Sequence, residues 1–284
     1  TDAVDNLFVC QNAFAGGAPV DGHLFFVGQT VLKELEENPL RPLVVFRING
    51  ADLTAPVEGD AERLDLLLPK LAPYVDVFMG TRGAIRTCVP PEITKGIALR
   101  VSSGSSMLND DLSHEVVAVD IEEAIRMNAD CMAVQTFIGA DGQLSSIDNL
   151  SKTINAGMRY SIPTMGVVAV GKQMERTDRF FKLATRIVAE MGVQLVKTYN
   201  CENFEEIVAA CPVPIVVAGG KKLPEDEALT LAYEVISKGA RGVDMGRNIF
   251  QSQHPVEMAQ AVAKVVHEGF TDKEAYEFYQ DMIH

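Results

Sequence analysis

The sequence lacks the features that mark several common classes of protein. Its five cysteines form no CxxC pair and no Cys/His pattern with the spacing of a metal site. No run approaches the ~20 consecutive apolar residues that a membrane-spanning helix needs. Basic residues are scarce, with 25 Lys and Arg against 39 Asp and Glu and a net charge of -14. This balance argues against nucleic-acid or anionic membrane partners, and the odd cysteine count indicates free thiols in a reducing, cytoplasmic setting.

What the chain does contain is a recurring pattern of short, β-rich apolar runs. Their hydrophobicity is continuous rather than alternating, which indicates strands buried on both faces of a parallel sheet. The eight runs are 42–48, 75–80, 97–102, 131–138, 161–170, 193–199, 214–220 and 242–250. Helical spacing between them predicts βαβ units, and eight units favour an α/β fold of the (β/α)8 TIM-barrel type.

The predicted domain organisation is one domain over residues 1–284. Residues 1–41 are interpreted as an N-terminal extension, and residues 42–284 as the barrel and a final helix. Among the connecting helices, the pattern predicts one over 113–128 with Ser113 as its N-cap. Another is predicted over 60–71, where Pro69 should shorten it.

A lysine interrupts the apolar run 193-VQLVKTYN-200, the sixth predicted strand. An ammonium group in a low-dielectric interior is unfavourable unless it is paired, solvated or deprotonated. If Lys197 points into the barrel among apolar groups, burial lowers its pKa and leaves an amine that can form a Schiff base with a ketone or aldehyde. Counting alternation does not settle which face points inward. The alternative is a lysine that merely pairs with a carboxylate.

Two glycine-containing loops predict a phosphate site. They are 217-VAGGKKL-223, after the seventh predicted strand, and 244-DMGRNIF-250, at the eighth. Barrels of this type often bind phosphate with the loops after strands seven and eight. Glycines let backbone N–H groups approach an anion closely, and basic side chains add charge. The residues assigned to this site are Gly219, Gly220, Lys221, Gly246 and Arg247, with Lys222 as an alternative to Lys221.

Further polar side chains are expected to line the barrel near its third and fourth strands. Arg100 ends the third strand and is interpreted equally well as the partner of a buried acid or as a substrate contact. Ser102 opens a Gly/Ser loop suited to hydrogen bonding a sugar, and Gln135 lies within the fourth strand. None of the five histidines adjoins a predicted strand end, so the sequence predicts no metal, no cofactor and no histidine base.

Several long motifs between about residues 65 and 279 carry a resemblance to a known family. They are 79-MGTRGAIRTCVPP-91, 99-LRVSSGSS-106, 162-IPTMGVVAVGK-172, 182-KLATRIVAEMG-192, 196-VKTY-199, 212-PVPIVVAGGKKLP-224 and 241-RGVDMGRNIFQSQHP-255. Together they resemble the class I aldolases of the archaeal-type fructose-bisphosphate aldolase family, and within it the branch that processes the phosphorylated autoinducer-2 signal as an aldolase or thiolase.

The resemblance implies a set of functional properties. Lys197 matches the Schiff-base lysine of the family, and the loops at 219–220 and 246–247 match its phosphate site. The implied enzyme is a metal-independent lyase that acts on a phosphorylated ketose or ketone. It is expected to be cytoplasmic and to form large homo-oligomeric rings, often decamers.

One segment departs from the family pattern. The family's first strand ends in Phe-Asp-His-Gly, whose acid transfers protons, whereas this chain has Arg47, Ile48 and Asn49 at the corresponding positions. Arginine cannot act as a general base, because its pKa stays above about 12. We therefore expect Asp52, Tyr199 or an ordered water to carry the proton. Arg47 and Asn49 are expected to line the substrate pocket.

Three functions remain open at this stage. The first is a lyase that cleaves or forms a carbon–carbon bond through an imine, and the second is a transaldolase-like or thiolase-type transferase that uses the same imine. The third is a catalytically silent relative that binds a sugar phosphate. The altered segment 46-FRING-50 favours the silent protein, whereas the intact lysine and both phosphate loops favour an enzyme.

Overall fold

The computed structural model describes residues 43–48, 64–104, 110–171 and 175–284. Eight parallel strands close into a barrel in which neighbours in sequence pair with each other, and the last strand pairs with the first. The (β/α)8 barrel predicted from the sequence is therefore confirmed. The strands are β1 Leu43–Ile48, β2 Val77–Thr81, β3 Gly96–Arg100, β4 Cys131–Thr136, β5 Thr164–Val168, β6 Leu195–Tyr199, β7 Ile215–Ala218 and β8 Gly242–Met245. The predicted extension over 1–41 lies outside the described residues.

Helices pack around the outside of the barrel and bury a continuous apolar layer against it. They are α1 Leu64–Leu71, α2 Arg82–Cys88, α3 Ile121–Arg126, α4 Gln143–Tyr160, α5 Asp178–Glu190, α6 Phe204–Ala210, α7 Glu225–Ser237, α8 Arg247–Phe250, α9 Pro255–Glu268 and α10 Asp272–Ile283. Thr177 caps α5 by accepting a hydrogen bond from Phe180 N, and Thr271 forms a capping box with Glu274 at α10. These caps explain where α5 and α10 begin.

A second apolar cluster fills the inside of the barrel. It consists of Val45, Val77, Met79, Ala98, Ala133, Met165, Val167 and Val216. Filling of this kind by inward side chains is expected of a small closed barrel, whose interior is a packed core. Strand residues that share a face with this cluster therefore point into the barrel.

Two predicted helices differ from the observed ones. The segment 113–128 is not one helix, because Val116–Val117 pairs as a short strand with Ser102–Ser103 and α3 begins only after Asp120. Asp120 provides the N-cap, whereas the Ser113 hydroxyl accepts a hydrogen bond from Gly142 N. Pro69 does not shorten α1, which continues to Leu71.

Buried carboxylates secure the amino-terminal end of the barrel. Asp76 accepts a hydrogen bond from Val44 N and lies 3.0 Å from His267 Nε2, which links β1, the start of β2 and α9. Asp130 accepts one from Ile97 N at 2.8 Å, and burial raises the pKa of its carboxyl group. Because both groups are engaged with the backbone at this end, their role is structural.

Candidate active site

Lys197 points into the barrel. Its Nζ lies 3.7 Å from the sulfur of Met79 in the interior cluster, and the residue is only 2% exposed. Lys197 is the third residue of β6, as Met79 is of β2 and Ala133 of β4. In barrels of this type, side chains from alternate strands form layers across the interior. The structure thus answers the question of the inward face that the sequence left open.

A carboxylate faces the lysine inside the barrel. Asp244, the third residue of β8, places Oδ2 2.5 Å from Lys197 Nζ, and both side chains are buried. Burial disfavours the ammonium form of the lysine, whereas the adjacent carboxylate favours it. Asp244 was not among the site residues predicted from the sequence. The available signal was an acid inside the apolar strand 242-GVDM-245.

The ends of β6, β7 and β8 enclose a cleft. Its lining includes Tyr199 from β6, the two predicted phosphate loops and Asp244, so that the cleft reaches the partner of Lys197. The lining residues are Tyr199, Ala218, Gly219, Gly220, Asp244, Gly246 and Arg247. Four of the five residues predicted to bind phosphate therefore come together in one place. Lys221 is exposed and does not line the cleft.

The β7 loop is held in place by a buried amide. Asn248 Nδ2 donates to Gly219 O and its Oδ1 accepts from Leu223 N, each at 2.8 Å. A Cβ at Gly219 would lie 3.0 Å from this amide, and the Gly219 N–H already donates to Asp244 O. Gly219 therefore serves close packing, and its N–H is not available to an anion. Gly220 adopts φ +69°, a conformation that favours glycine.

Tyr199 is fixed at the mouth of the cleft by its neighbours. Arg176 Cζ lies 4.6 Å from the centre of its ring, in a cation–π arrangement, and the Phe181 ring packs at 6.2 Å. Arg176 was not among the predicted site residues. It brings a second guanidinium, besides that of Arg247, to the elements that surround the cleft.

A buried network of Arg100, Ser102 and Glu115 lies beside β3 and β4, and Gln135 takes part in it through its backbone N–H. Arg100 pairs with Glu115 at 2.5 Å and also donates to Ser102 O. The Ser102 hydroxyl donates to Glu115 Oε2 at 2.6 Å and accepts from Gln135 N at 3.0 Å. The structure supports the interpretation of Arg100 as the partner of a buried acid, Glu115. The hydrogen bond from the Ser102 hydroxyl to Glu115 adds to the pairing of the short strands 102–103 and 116–117.

Two cysteines at the ends of barrel strands are poor nucleophiles. Burial raises the pKa of the Cys131 thiol, inside the barrel, to about 12. Burial and the adjacent Asp178 likewise raise the pKa of Cys201, just beyond β6, to about 12. Since the thiolate is the reactive form of cysteine, neither group is activated near neutral pH. Lys197 is therefore the better candidate for covalent chemistry.

The side chains of three predicted site residues lie outside the part of the chain that the structure describes. Asn49 and Asp52 lie outside the described residues, and Arg47 is described only as part of the β1 backbone.

Within the described ranges, no group of three or more His, Cys, Asp or Glu side chains is arranged to hold a metal. Among the described helices, none is both long enough and apolar enough to cross a membrane.

Comparison with known proteins bears on this site directly. Residues 73–252 match the model of the DeoC/LacD family aldolases. The chain belongs to this family. The match covers β2 to β8 and therefore includes Lys197, Asp244 and both loops of the cleft, which confirms the resemblance inferred from the motifs.

Individual relatives support the same assignment. The chain is 52% identical over 221 residues to an uncharacterised aldolase of Pasteurella multocida, a match that covers 78% of this chain and 76% of that protein. It is equally similar, over 221 residues, to a 3-hydroxy-5-phosphonooxypentane-2,4-dione thiolase of an Enterobacter species, with 78% and 75% covered. A Schiff base forming fructose-1,6-bisphosphate aldolase shares the fold, with a TM-score of 0.74 and 21% identity, covering 84% of this chain and 100% of that one.

Proposed function

We propose that this aldolase-family protein acts on a phosphorylated ketone through a Schiff base formed by Lys197. The observation that carries the proposal is the position of Asp244, which pairs with Lys197 at 2.5 Å and also lines the cleft between the glycine loops. A substrate phosphate in that cleft would hold a carbonyl carbon near the amine. Such fixed proximity contributes a large part of the rate of covalent catalysis.

The phosphate itself is assigned to the loops after β7 and β8. Arg247 supplies the charge, and Gly220 and Gly246 supply backbone that can approach an anion closely. Within this proposal the substrate resembles 3-hydroxy-5-phosphonooxypentane-2,4-dione, which names the thiolase relatives. That molecule has both the ketone that the lysine needs and the phosphate that the loops would bind.

The proposal does not require a metal ion, because the iminium accepts the electrons of the broken carbon–carbon bond. The fate of the fragments after bond cleavage distinguishes a lyase from a transferase. Release of two fragments into water would be lyase chemistry, whereas transfer of an acyl group to a thiol would be thiolase chemistry. Turnover of 3-hydroxy-5-phosphonooxypentane-2,4-dione with and without coenzyme A as acceptor separates these two outcomes.

Borohydride trapping tests the proposed imine. The protein is incubated with dihydroxyacetone phosphate, reduced, and mapped by peptide mass spectrometry, with Lys197→Met as the control. We expect one reduced adduct, on Lys197, and none in the control. If phosphate still binds to the wild-type protein but neither dihydroxyacetone phosphate nor 3-hydroxy-5-phosphonooxypentane-2,4-dione forms an adduct on Lys197, the protein is instead the silent binder of a sugar phosphate.

We further propose that the protein is a cytoplasmic homo-oligomer, a decameric ring by its resemblance to the family. Large apolar side chains on the outer helices support an interface between copies, including Leu144 at 81% and Leu183 at 57% exposure. The four cysteines of the described residues are all free thiols, as a reducing compartment would require. Light scattering after size-exclusion chromatography would give the number of copies.

A further inference from the structure

Asp244 occupies an unusual position for a buried acid. It is 2% exposed, lies inside the barrel and has Oδ2 2.5 Å from Lys197 Nζ. Its main chain accepts a hydrogen bond from Gly219 N, which ties the position of the acid to the β7 loop. The carboxylate therefore stands between the amine that reacts and the cleft where a substrate would bind.

The hydrogen bonding of this acid differs from that of the other buried acids. Asp76 and Asp130 each accept a backbone N–H, and Glu115 accepts from Ser102 and Arg100. Among the described residues, neither oxygen of Asp244 accepts a hydrogen bond of ordinary geometry, although Oδ2 is close to the lysine. A buried carboxylate with spare acceptor capacity beside a reactive amine can exchange protons with it and with a bound substrate.

We propose that Asp244 is the acid–base residue of imine formation at Lys197, in place of the acid that the first strand lacks. The inference rests on the proposed Schiff-base function. Asp52 is the other candidate acid from the sequence, but it lies outside the described residues. Asp244, by contrast, is already in contact with the reacting nitrogen.

The proposed steps conserve atoms and charge. The Lys197 ammonium first gives a proton to the Asp244 carboxylate, which leaves a neutral amine beside a neutral acid. The amine attacks the ketone carbon, the carbonyl π electrons move to the oxygen, and one proton passes from nitrogen to that oxygen to give a carbinolamine. Asp244 then protonates the hydroxyl, the carbon–oxygen bond breaks, and water leaves as the iminium forms. Asp244 ends as a carboxylate beside the iminium and stabilises its positive charge.

The test measures how fast the Lys197 adduct forms with dihydroxyacetone phosphate in the presence of borohydride, as a function of pH. The variant is Asp244→Asn, which keeps the shape of the side chain but cannot carry the proton. We expect the maximal trapping rate to fall about 100-fold or more, because general acid–base catalysis contributes typically ~10²–10⁴-fold. The concentration of dihydroxyacetone phosphate at half saturation should stay within a few-fold of the wild-type value, since the loops bind the phosphate.

Asp130→Asn is the matched control. It removes a second buried aspartate of the same barrel, at the end opposite the cleft, where the acid bonds to Ile97 N. Its trapping rate and pH profile should match those of the wild-type protein.

The outcomes separate this inference from the proposed function. No adduct in the wild-type protein would overturn both. A wild-type adduct, together with an unchanged rate and pH profile in Asp244→Asn, would overturn the role of Asp244 alone. If Asp244→Asn does not fold, Asp244→Glu provides the measurement. A slower rate with a shifted pH profile in that variant supports the inference, whereas wild-type behaviour contradicts it.

Discussion

Two buried ion pairs inside this protein look similar and differ in what surrounds them. Arg100 and Glu115 lie 2.5 Å apart, as do Lys197 and Asp244, and both carboxylates are fully buried. Glu115, however, also accepts from the Ser102 hydroxyl, and the Arg100 guanidinium also donates to the backbone. The first pair is held by several directed hydrogen bonds, whereas the acid of the second has acceptor capacity to spare.

This difference distinguishes a structural pair from the pair that we propose to be reactive. A buried ion pair recovers its desolvation cost only when additional hydrogen bonds satisfy its remaining groups. The Arg100–Glu115 pair meets this condition and fixes two short strands. The Lys197–Asp244 pair meets it less well, and arginine, unlike lysine, does not lose its proton in proteins. Only the second pair can therefore supply a nucleophilic amine.

The largest expected difference between the two pairs appears in activity when the cation of each pair is removed. Lys197→Met should reduce turnover of 3-hydroxy-5-phosphonooxypentane-2,4-dione by roughly 10⁴-fold or more, because the covalent route is lost. Arg100→Met should retain activity within about 10-fold of the wild-type value wherever the protein remains folded. Steady-state kinetics on both variants, with circular dichroism to verify folding, makes the comparison. A severe activity loss in folded Arg100→Met would mean that both pairs take part in catalysis.

A smaller effect is expected on stability. Each of the same two variants leaves a buried carboxylate without its cation, which should lower the free energy of unfolding by about 3–5 kcal/mol. Adding Asp244→Asn to Lys197→Met should recover most of this loss, since no buried charge then remains. Adding Glu115→Gln to Arg100→Met should recover less, because the Ser102 carbonyl oxygen has also lost its hydrogen bond from Arg100 Nε.

Denaturant unfolding of the single and double variants measures both double-mutant cycles. If Arg100 and Glu115 form the pair with more hydrogen bonds, the second substitution should restore less of the free energy of unfolding in their cycle than in the Lys197–Asp244 cycle. Equal recovery would show that the additional hydrogen bonds of the Arg100–Glu115 pair contribute little to stability.

The smallest effects concern the phosphate loops next to the reactive pair. Arg247→Met should weaken binding of dihydroxyacetone phosphate about 10- to 100-fold, as expected for the loss of a charged hydrogen bond. Lys221→Met is the matched control, because this lysine is exposed and lies outside the cleft lining. It should change the affinity by less than about 3-fold, in keeping with weak exposed charges. Isothermal titration calorimetry on both variants checks this, and a larger effect of Lys221→Met would reverse the assignment.

Prediction from the sequence succeeded where a local pattern had one structural meaning. Continuous apolar runs between amphipathic segments indicated the parallel barrel, and the terminal strand positions indicated the two loops of the cleft. It failed at 113–128, where the helical spacing of apolar residues extended over a strand that pairs with residues 102–103. The pairing of that segment depends on a partner outside the segment itself, so a local pattern could not reveal it.

The candidate site was predictable to a similar degree. Lys197 and the glycine loops were found from residue type and position, whereas Asp244 was missed although it lies within one of the family motifs. Its contact with Lys197 depends on the closure of the barrel, which brings the side chains of β8 and β6 together in the interior. Arg100 was left between two roles until the structure supplied Glu115 as its partner.

The sequence by itself determined the class of fold, the candidate lysine for covalent chemistry and the loops that could bind a phosphate. These properties depend on apolar periodicity, residue type and position along the strands, all of which are local features of the chain. Only the tertiary structure decided that Lys197 points inward and which carboxylate faces each cation. Those facts depend on which side chains from distant strands meet inside a closed barrel, and that is fixed by the packing and register of all eight strands together.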